Sequence, residues 1–321
     1  MGEELVSAII PTYNRASLLV RALASVAGQD YRPIQAIVID DGSTDNTAEL
    51  MPEQQSLLAR QGVEMIYHRQ SNCGPAYARN VGISLARGPY VCFLDSDDMW
   101  TSSFVSTMVR LLKGNPSAGL AFGGYMAIDA NDQFIKERKS GLPPKPPEGL
   151  LRRPFELIVQ HMPMGTPCVM VRRSVLDELG GFDETYHMGE DWDLWYRIAG
   201  RHDFVYSLKG LSCCREHRRN TPKFNAAALA DQVLLIHKHL PSINDPKARA
   251  VVLKRLARQT TLLQEQMLRE GYFPPKALSL LDHPLGPQTL RFRLGATVRR
   301  QPAWVGKAYA RIIRALGTAR R

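Results

Sequence analysis

The first hundred residues alternate between short apolar runs and segments with helical spacing, and this restricts the fold more than any other feature. The apolar runs are LVSAII (5–10), IQAIVI (34–39), VEMIYH (63–68) and YVCFL (90–94). Apolar residues recur at helical spacing in the segments between them, at 15–29, 44–60 and 74–88. Strands that alternate with helices require crossover connections. The pattern therefore predicts an α/β fold with a doubly wound, mainly parallel sheet and flanking helices.

Beyond residue 100 the alternation becomes less regular. Helices are predicted at 104–113 and 190–200, strands at 118–128 and at the start of 169–182, and a short helix at the end of that last segment. The Pro/Gly segment 140–149 is predicted to be an irregular surface loop. From Ala226 onward the chain is predicted to be helical. We therefore expect an α/β domain at residues 1–225 and a helical region at 226–321.

Positive charge is concentrated at the carboxyl end of the chain. The net charge is +10, and residues 286–321 contain nine Arg and Lys residues but no Asp or Glu. Such a segment favours an anionic partner surface, either membrane headgroups or nucleic acid. Segment 301–321 has the spacing of an amphipathic helix, which fits a membrane surface or packing on the domain or a partner chain. The chain has no recognisable nucleic-acid module, so we expect no nucleic-acid partner.

Other sequence features indicate a cytoplasmic protein. No stretch approaches the ~20 apolar residues needed to cross a bilayer. The acidic start MGEELVSAII does not have the pattern of a signal peptide. The five cysteines are scattered without a CxxC pair, as expected of reduced thiols rather than of a disulfide framework.

Carboxylates follow two of the predicted strands, where an open α/β sheet binds its ligand. Asp40 and Asp41 come after the second strand, and Asp95, Asp97 and Asp98 come after the fourth. So much negative charge on one edge indicates a shared cation, and Asp95 and Asp97 could hold a divalent ion between them. Such an ion usually completes its shell with water and phosphate oxygens. The edge thus suggests a nucleoside diphosphate with Mg²⁺ or Mn²⁺, and Asp41 is free to accept hydrogen bonds from a base.

Five stretches in order give a specific resemblance: IIPTYNR, VIDDGSTDNT, GPAYARNVGI, YVCFLDSDD and GEDWDLWYR. Together they resemble a family 2 glycosyltransferase with the GT-A fold, over residues 5 to about 220. Singly, a DxD is a weak signal because aspartate pairs are common in surface turns.

The resemblance implies roles for the residues of these stretches. A donor nucleotide would be bound by Pro11, Thr12, Tyr13, Asp41, Arg79, Asp95 and Ser96. The first four correspond to the cradle for uracil and ribose, Asp95 points to the ribose, and Asp97 to the metal. Asp40 is expected to fix its turn. Asp98 supports the site or caps the helix that follows, and both interpretations remain open.

The resemblance also implies a catalytic pair, Glu190 and Asp191, at the start of a helix. Asp191 is the candidate general base, and the alternative is that both residues simply charge the first helical turn. His217 corresponds to a residue that approaches the metal or the diphosphate, and the arginines around it, Arg215, Arg218 and Arg219, would suit a pyrophosphate. An exposed loop histidine is an equally good interpretation of His217.

The sequence therefore predicts an enzyme, an inverting, metal-dependent glycosyltransferase of the hexosyltransferase type. It would move one sugar from a nucleotide-sugar, most simply a UDP-sugar, to a saccharide or lipid-linked acceptor in glycoconjugate or surface polysaccharide assembly. A QxxRW motif, typical of processive relatives, is absent after the Glu-Asp pair. The alternatives are a sugar nucleotidyltransferase, although PTYNRAS lacks the glycines of a triphosphate loop, and a non-catalytic nucleotide-sugar-binding module. The basic carboxyl-terminal segment is predicted to give peripheral contact with the cytoplasmic membrane face.

Overall fold

A computed structural model describes residues 3–138, 146–216, 225–272, 274 and 276. It divides the chain into two compact units, one of residues 1–186 and 190–221 and the other of residues 187–189 and 222–321. Among the described residues, no helix is long and apolar enough to cross a bilayer. All five cysteines are free.

Ten strands of the described residues form one mixed sheet in the first unit. Along its main path the strand order is β3-β2-β1-β4-β9-β6-β10-β5, with β7 beside β6 and β8 beside β10. The strands are β1 (Val6–Thr12), β2 (Ile34–Asp40), β3 (Val63–Arg69), β4 (Tyr90–Phe93), β5 (Met99–Trp100), β6 (Ala118–Ile128), β7 (Phe134–Arg138), β8 (Glu148–Leu151), β9 (Val169–Arg172) and β10 (Asp203–Arg215).

Helices cover the sheet and follow the predicted alternation. Those of the first unit are α1 (Ala16–Ala27), α2 (Thr47–Arg60), α3 (Pro75–Leu85), α4 (Phe104–Gly114), α5 (Phe155–His161), α6 (Arg173–Leu179) and α7 (Glu190–Ala199). In α1 the buried residues Leu19, Ala22, Leu23 and Val26 repeat at helical spacing, so one face packs into the core.

The first four strands are parallel, as the alternation predicts. β1 pairs with β2 and β4, and β2 pairs with β3, all in parallel register. Every residue of β2 is buried, as expected for a strand covered on both faces. The carboxyl ends of β1, β2 and β4 therefore meet at one edge. Past β4 the sheet is mixed, because β9 runs antiparallel to both β4 and β6.

The structure corrects the prediction for one segment and adds strands that were not predicted: β5, β7, β8 and β10. The 140–149 segment was expected to be irregular, but its end enters strand β8, which pairs antiparallel with β10. The chain past Pro147 has backbone N–H groups again and can join a sheet edge. Strand β10 was not predicted, although it spans 13 residues. Residues 139–145 lie outside the described part.

The second unit is described as two helices, α8 (Ala226–His239) and α9 (Pro246–Glu270). Both start with a side-chain cap: Asn225 accepts a hydrogen bond from the Ala228 N–H, and Asp245 accepts from the N–H groups of Lys247 and Ala248. The described helices agree with the prediction from Ala226 onward. The amphipathic segment 301–321 lies outside the described residues.

Candidate active site

A cavity of about 410 Å³ opens at the carboxyl ends of β1, β2 and β4. Its lining includes every residue for which the sequence predicted donor binding, together with Asp97, one of the two predicted metal ligands: Pro11, Thr12, Tyr13, Asp41, Arg79, Asp95, Ser96 and Asp97. It also includes residues without a predicted role: Arg15, Asn72, Gly74, Pro75 and Ala78. The volume suits a ligand larger than a single ion.

Two turns at this edge are bound to each other. Asn14 Oδ1 accepts hydrogen bonds from the N–H groups of Thr44 (2.7 Å) and Asp45 (3.3 Å), and the Asn14 N–H donates to Ser43 Oγ (3.0 Å). Buried Asp40 accepts from the Ser43 N–H (2.8 Å) and from the Tyr67 hydroxyl (2.6 Å). Asp40 thus fixes its turn, as expected, and the turns after β1 and β2 form one rigid wall.

Asp41 faces the cavity but is already partly bound by protein. Its Oδ1 accepts from Gln70 Nε2 (2.8 Å) and the Cys73 N–H (2.9 Å), and its Oδ2 accepts from the Gly74 N–H (2.8 Å). A carboxylate has about four acceptor positions, so these bonds fix its orientation and leave one position for a ligand.

Arg79 joins the carboxylates after β4 to the start of α7. Its Nη2 lies 2.8 Å from Asp95 Oδ1, and its Nη1 lies 2.8 Å from Glu190 Oε1. The guanidinium also lies over the Phe182 ring, 5.5 Å from the ring centroid. Burial by itself would lower the pKa of Arg79, but Asp95 and Glu190 outweigh it and raise that pKa. Arg79 is therefore a fixed positive charge between the two acidic groups.

Two buried polar atoms at the cavity have no hydrogen-bond partner among the described residues. They are Thr12 Oγ1 and Arg79 Nε. Buried polar groups are nearly always hydrogen-bonded, so an unpartnered group in a cavity wall is a sign of a ligand or water site.

The aspartates after β4 have different environments. Asp97 Oδ1 lies 2.7 Å from Arg15 Nη1. Asp98 Oδ1 accepts a hydrogen bond from the backbone N–H of Arg215 (2.8 Å), which joins this turn to β10. Burial, then the charges of Asp95 and Asp97, raise the pKa of Asp98 well above its usual range. Asp98 therefore supports the turn and does not cap a helix.

Arg215 does not take the position that the sequence suggested for it. Its side chain is 1% exposed, its Nε donates to the Asp97 carbonyl (2.9 Å), and its Nη2 lies 2.5 Å from Asp132 Oδ1. Its Nη1 donates to the Asp129 carbonyl. All three guanidinium nitrogens are thus bound by protein, so the expectation that Arg215 suits a pyrophosphate is not met by this geometry. The described residues do not include His217, Arg218 or Arg219.

Asp191 occupies the first turn of α7, next to Glu190. Its Oδ2 accepts from the Thr166 hydroxyl (2.9 Å), and its Oδ1 accepts from the Trp192 N–H (2.8 Å). Burial and the neighbouring Glu190 raise the pKa of Asp191 to about 6, although Arg79 opposes the shift. A carboxylate with this pKa is a better proton acceptor near neutral pH than an ordinary aspartate.

The two tryptophans of α7 differ. Trp195 is fully buried and packs against Phe93 and Phe182, with ring centroids 6.3 and 6.1 Å away. Trp195 thus belongs to the core, whereas Trp192 is half-buried. Only Trp192 can offer an aromatic face to a ligand.

The residues present fit a divalent ion held jointly with a ligand's phosphates. No group of three or more His, Cys, Asp or Glu side chains suited to a metal occurs in the described part of the chain. Mg²⁺, however, is commonly bound by one or two carboxylates plus substrate phosphates, and Asp97 presents hard oxygen donors in the cavity wall.

Sequence reasoning missed three residues that organise the site. Arg15 contacts Asp97, Thr166 positions Asp191, and Gln70 positions Asp41. Arg15 had a detectable signal, because it directly follows the PTYN turn. Thr166 and Gln70 come from segments without a motif, so no pattern could have identified them.

The sheet is mixed, and its cavity lies at the strand ends. Arg79 joins this cavity to the acidic start of α7. Together these features define the class of the protein, a glycosyltransferase of GT-A architecture. The chain belongs to glycosyl transferase family 2, whose family model matches residues 7–180. An uncharacterized glycosyltransferase of Nostoc sp. is 30% identical over 233 residues, which cover 71% of this chain and 69% of the relative.

For other relatives, the similarity to this chain covers a smaller part of the relative's length. An uncharacterized glycosyltransferase of Rickettsia conorii is 31% identical over 215 residues, 67% of this chain. The chain spans about a third of that relative, 33% of its length.

Solved structures share the fold. TarS 1-349 of S. aureus, in complex with UDP-GlcNAc, superposes with a TM-score of 0.59 at 20% identity, covering 94% of this chain and 83% of TarS. The mannosyltransferase PcManGT of Pyrobaculum calidifontis, in complex with GDP-Man and Mn²⁺, gives a TM-score of 0.56 at 17% identity. That superposition covers 95% of this chain and 86% of PcManGT.

Proposed function

We propose that this protein transfers a single sugar from a UDP-sugar to a hydroxyl group of a saccharide or lipid-linked acceptor, with inversion at the anomeric carbon. The observation that carries the proposal is the Arg79 bridge. It connects the cavity carboxylate Asp95 to Glu190 through two 2.8 Å ion pairs, and Asp191 follows Glu190 directly. A donor-binding cavity and a candidate base thus belong to one rigid network.

The chemistry follows from that arrangement. Asp191 accepts the proton of the acceptor hydroxyl as its oxygen attacks the anomeric carbon, on the face opposite the diphosphate. The bond between that carbon and the diphosphate oxygen breaks, and UDP leaves with the electron pair. Mg²⁺ or Mn²⁺, when bound, neutralises charge on the diphosphate, and Asp97 would hold it.

UDP is the proposed nucleotide because the pocket matches the motif set that implies a uracil cradle. TarS, which shares the fold, was solved with UDP-GlcNAc, and PcManGT with GDP-Man and Mn²⁺. GDP is therefore the competing nucleotide. Transfer of one sugar is proposed because α7 continues as WDLWYRIAG, without the motif of processive relatives.

The domain and location assignments are also proposals. We assign catalysis to residues 1–225 and keep 226–321 as a helical, basic region. The nine basic residues of 286–321 support contact with an anionic membrane on its cytoplasmic side, where a lipid-linked acceptor would be presented.

Turnover with a panel of UDP-, GDP-, CDP- and dTDP-sugars and Mn²⁺ tests the function. Released nucleoside diphosphate is measured, with simple saccharides or water as acceptor. UDP release from a UDP-sugar is the expected product. Release of pyrophosphate when UTP and a sugar 1-phosphate are supplied instead would support a nucleotidyltransferase, and unchanged turnover after Asp191→Asn would remove the proposed base.

A further inference from the structure

Arg15 lines the cavity and has a partly exposed side chain. It occupies the position just before α1, and its side chain makes no capping hydrogen bond. Its Nη1 lies 2.7 Å from Asp97 Oδ1, and its side chain is 41% exposed. The contact with Asp97 therefore holds a long, partly exposed side chain at the cavity wall.

Two other arginines near this edge, Arg79 and Arg215, are fixed. The Arg79 side chain is 7% exposed and lies between Asp95 and Glu190. Arg215 is 1% exposed, and each of its three guanidinium nitrogens is bound. The Arg15 side chain is much more exposed than these two, so Arg15 can change partner at a lower cost than Arg79 or Arg215.

Asp97 requires a positive partner in every state. Its side chain is only 9% exposed, so an uncompensated charge there would be costly. A divalent ion held by Asp97 would repel the Arg15 guanidinium, because both are cations at one carboxylate. Arg15 would still line the cavity, and a guanidinium pairs well with phosphate oxygens.

We propose that Arg15 exchanges partners during donor binding: it neutralises Asp97 when the cavity is empty and binds the donor's diphosphate once a divalent ion occupies Asp97. This rests on the proposed function. It makes Arg15 a competitor of the metal and a ligand of the nucleotide, so removing it has opposite effects on the two affinities.

Because the affinities for Mn²⁺ and for UDP should change in opposite directions, the exchange can be measured. Arg15→Ala removes the competing cation, and Mn²⁺ alone should bind at least about two- to fivefold more tightly, because the ion pair that it must displace, exposed on the arginine side, is lost. UDP in saturating Mn²⁺ should bind about tenfold or more weakly, because a charged hydrogen bond to phosphate is lost. A merely structural residue would weaken both.

Mn²⁺ binding is followed through the electron paramagnetic resonance of the free ion, and UDP binding by calorimetry, on the full chain. Arg21→Ala is the matched control: Arg21 lies on α1, is 43% exposed and pairs with Asp132 at 3.0 Å. Asp132 keeps its pair with Arg215 when Arg21 is lost. Arg15→Lys should restore most of the UDP affinity.

Tighter Mn²⁺ binding with weaker UDP binding in Arg15→Ala alone would support the exchange. Unchanged UDP affinity, unchanged or weaker Mn²⁺ affinity, or the same shifts in Arg21→Ala would overturn it. If the wild-type protein bound neither UDP nor GDP in Mn²⁺, the proposed function itself would fail, and the exchange with it. That result is distinguishable because it is seen without any variant.

Discussion

Individual carboxylates at this site are set apart by their neighbours. Asp41 accepts hydrogen bonds from three donors, Asp98 from the Arg215 backbone N–H, and Asp97 pairs with the partly exposed Arg15. Asp191, in contrast, is desolvated beside a second carboxylate, and its pKa rises to about 6. The four aspartates thus differ in their hydrogen bonds and ion pairs because their neighbours differ, and each difference can be tested by substitution.

The pH dependence of turnover should report Asp191. A base must be deprotonated to act, so kcat/KM should be level above pH 7 and fall about tenfold per unit below about pH 6. Asp191→Asn should lower kcat about 100-fold or more with little change in UDP affinity, and its residual rate should lose this dependence. A wild-type profile that stays flat down to pH 4.5 would exclude Asp191 as the base.

The same pKa has a consequence for stability. Because the folded pKa is raised, the folded state binds more protons than the unfolded state between about pH 4 and 6. Ionisation of Asp191 therefore costs stability as pH rises through that window. Asp191→Asn should have a higher Tm than wild type at pH 7.5, and the difference should disappear near pH 4, as measured by calorimetry.

Arg79 should be essential to stability as well as to the site. Arg79→Met leaves Asp95 and Glu190 without their shared partner, and loss of one side of a buried pair costs about 3 kcal/mol. Arg87→Met is the matched control, since Arg87 pairs with Glu64 where both side chains are about half exposed. Denaturant unfolding should show less than about 1 kcal/mol for the control. Equal losses in the two variants would contradict a buried bridge.

At the scale of elements, the site depends on close packing of α3 against β1. Gly82 of α3 faces Ile9 of β1 so closely that a Cβ would overlap the Ile9 side chain. This contact sets the distance between α3 and the sheet, and it therefore sets the position of Arg79 near the strand ends. Helix α3 begins at Pro75, directly after Gly74, whose φ of 89° lets the chain turn sharply beside Asp41.

Gly82→Ala should therefore destabilise the protein by about 1–3 kcal/mol through overpacking. Gly114→Ala is the control, because Gly114 ends α4 and no atom lies within 4 Å of the position that an added methyl group would take. It should be neutral or slightly stabilising, since alanine has the higher helix propensity. Denaturant unfolding measures both, and an unaffected Gly82→Ala protein would show that α3 can shift freely.

Elements with a regular pattern were predictable, and irregular ones were not. The strands β1 to β4 and their helices follow from alternation alone. Strand β10 was missed because its register against β6 shifts between Ser207 and Gly210 and again at Ser212, which breaks the period of two. Motifs likewise located the cavity carboxylates, whereas Thr166 contacts Asp191 across 25 residues and no local pattern encodes such a contact.

In the whole molecule, negative and positive charges are concentrated in different places, at the cavity edge and in residues 286–321, here called the tail. The cavity edge collects carboxylates, while residues 286–321 have nine basic residues and no acidic one. Such separation suits an enzyme that binds a diphosphate through cations and an anionic surface through its terminus.

The tail proposal predicts binding of the full chain to vesicles that contain anionic lipid, measured by co-sedimentation. Replacing Arg299, Arg300, Arg311 and Arg314 by Glu should abolish binding, and raising the salt concentration should weaken it in the wild type. Neutral vesicles are the control for the lipid charge. Equal binding to neutral and anionic vesicles, or no effect of the substitutions, would exclude an electrostatic contact.

We propose that the cavity at the ends of β1, β2 and β4 binds a nucleoside diphosphate together with a divalent ion. The change in Tm of the full chain with UDP, GDP, CDP or dTDP, each with and without Mn²⁺, tests this binding without any acceptor. We expect a rise of several degrees with UDP plus Mn²⁺ at about 100 times Kd, and little with either alone. A Tm that is indifferent to all four nucleotides in the presence of Mn²⁺ would contradict it.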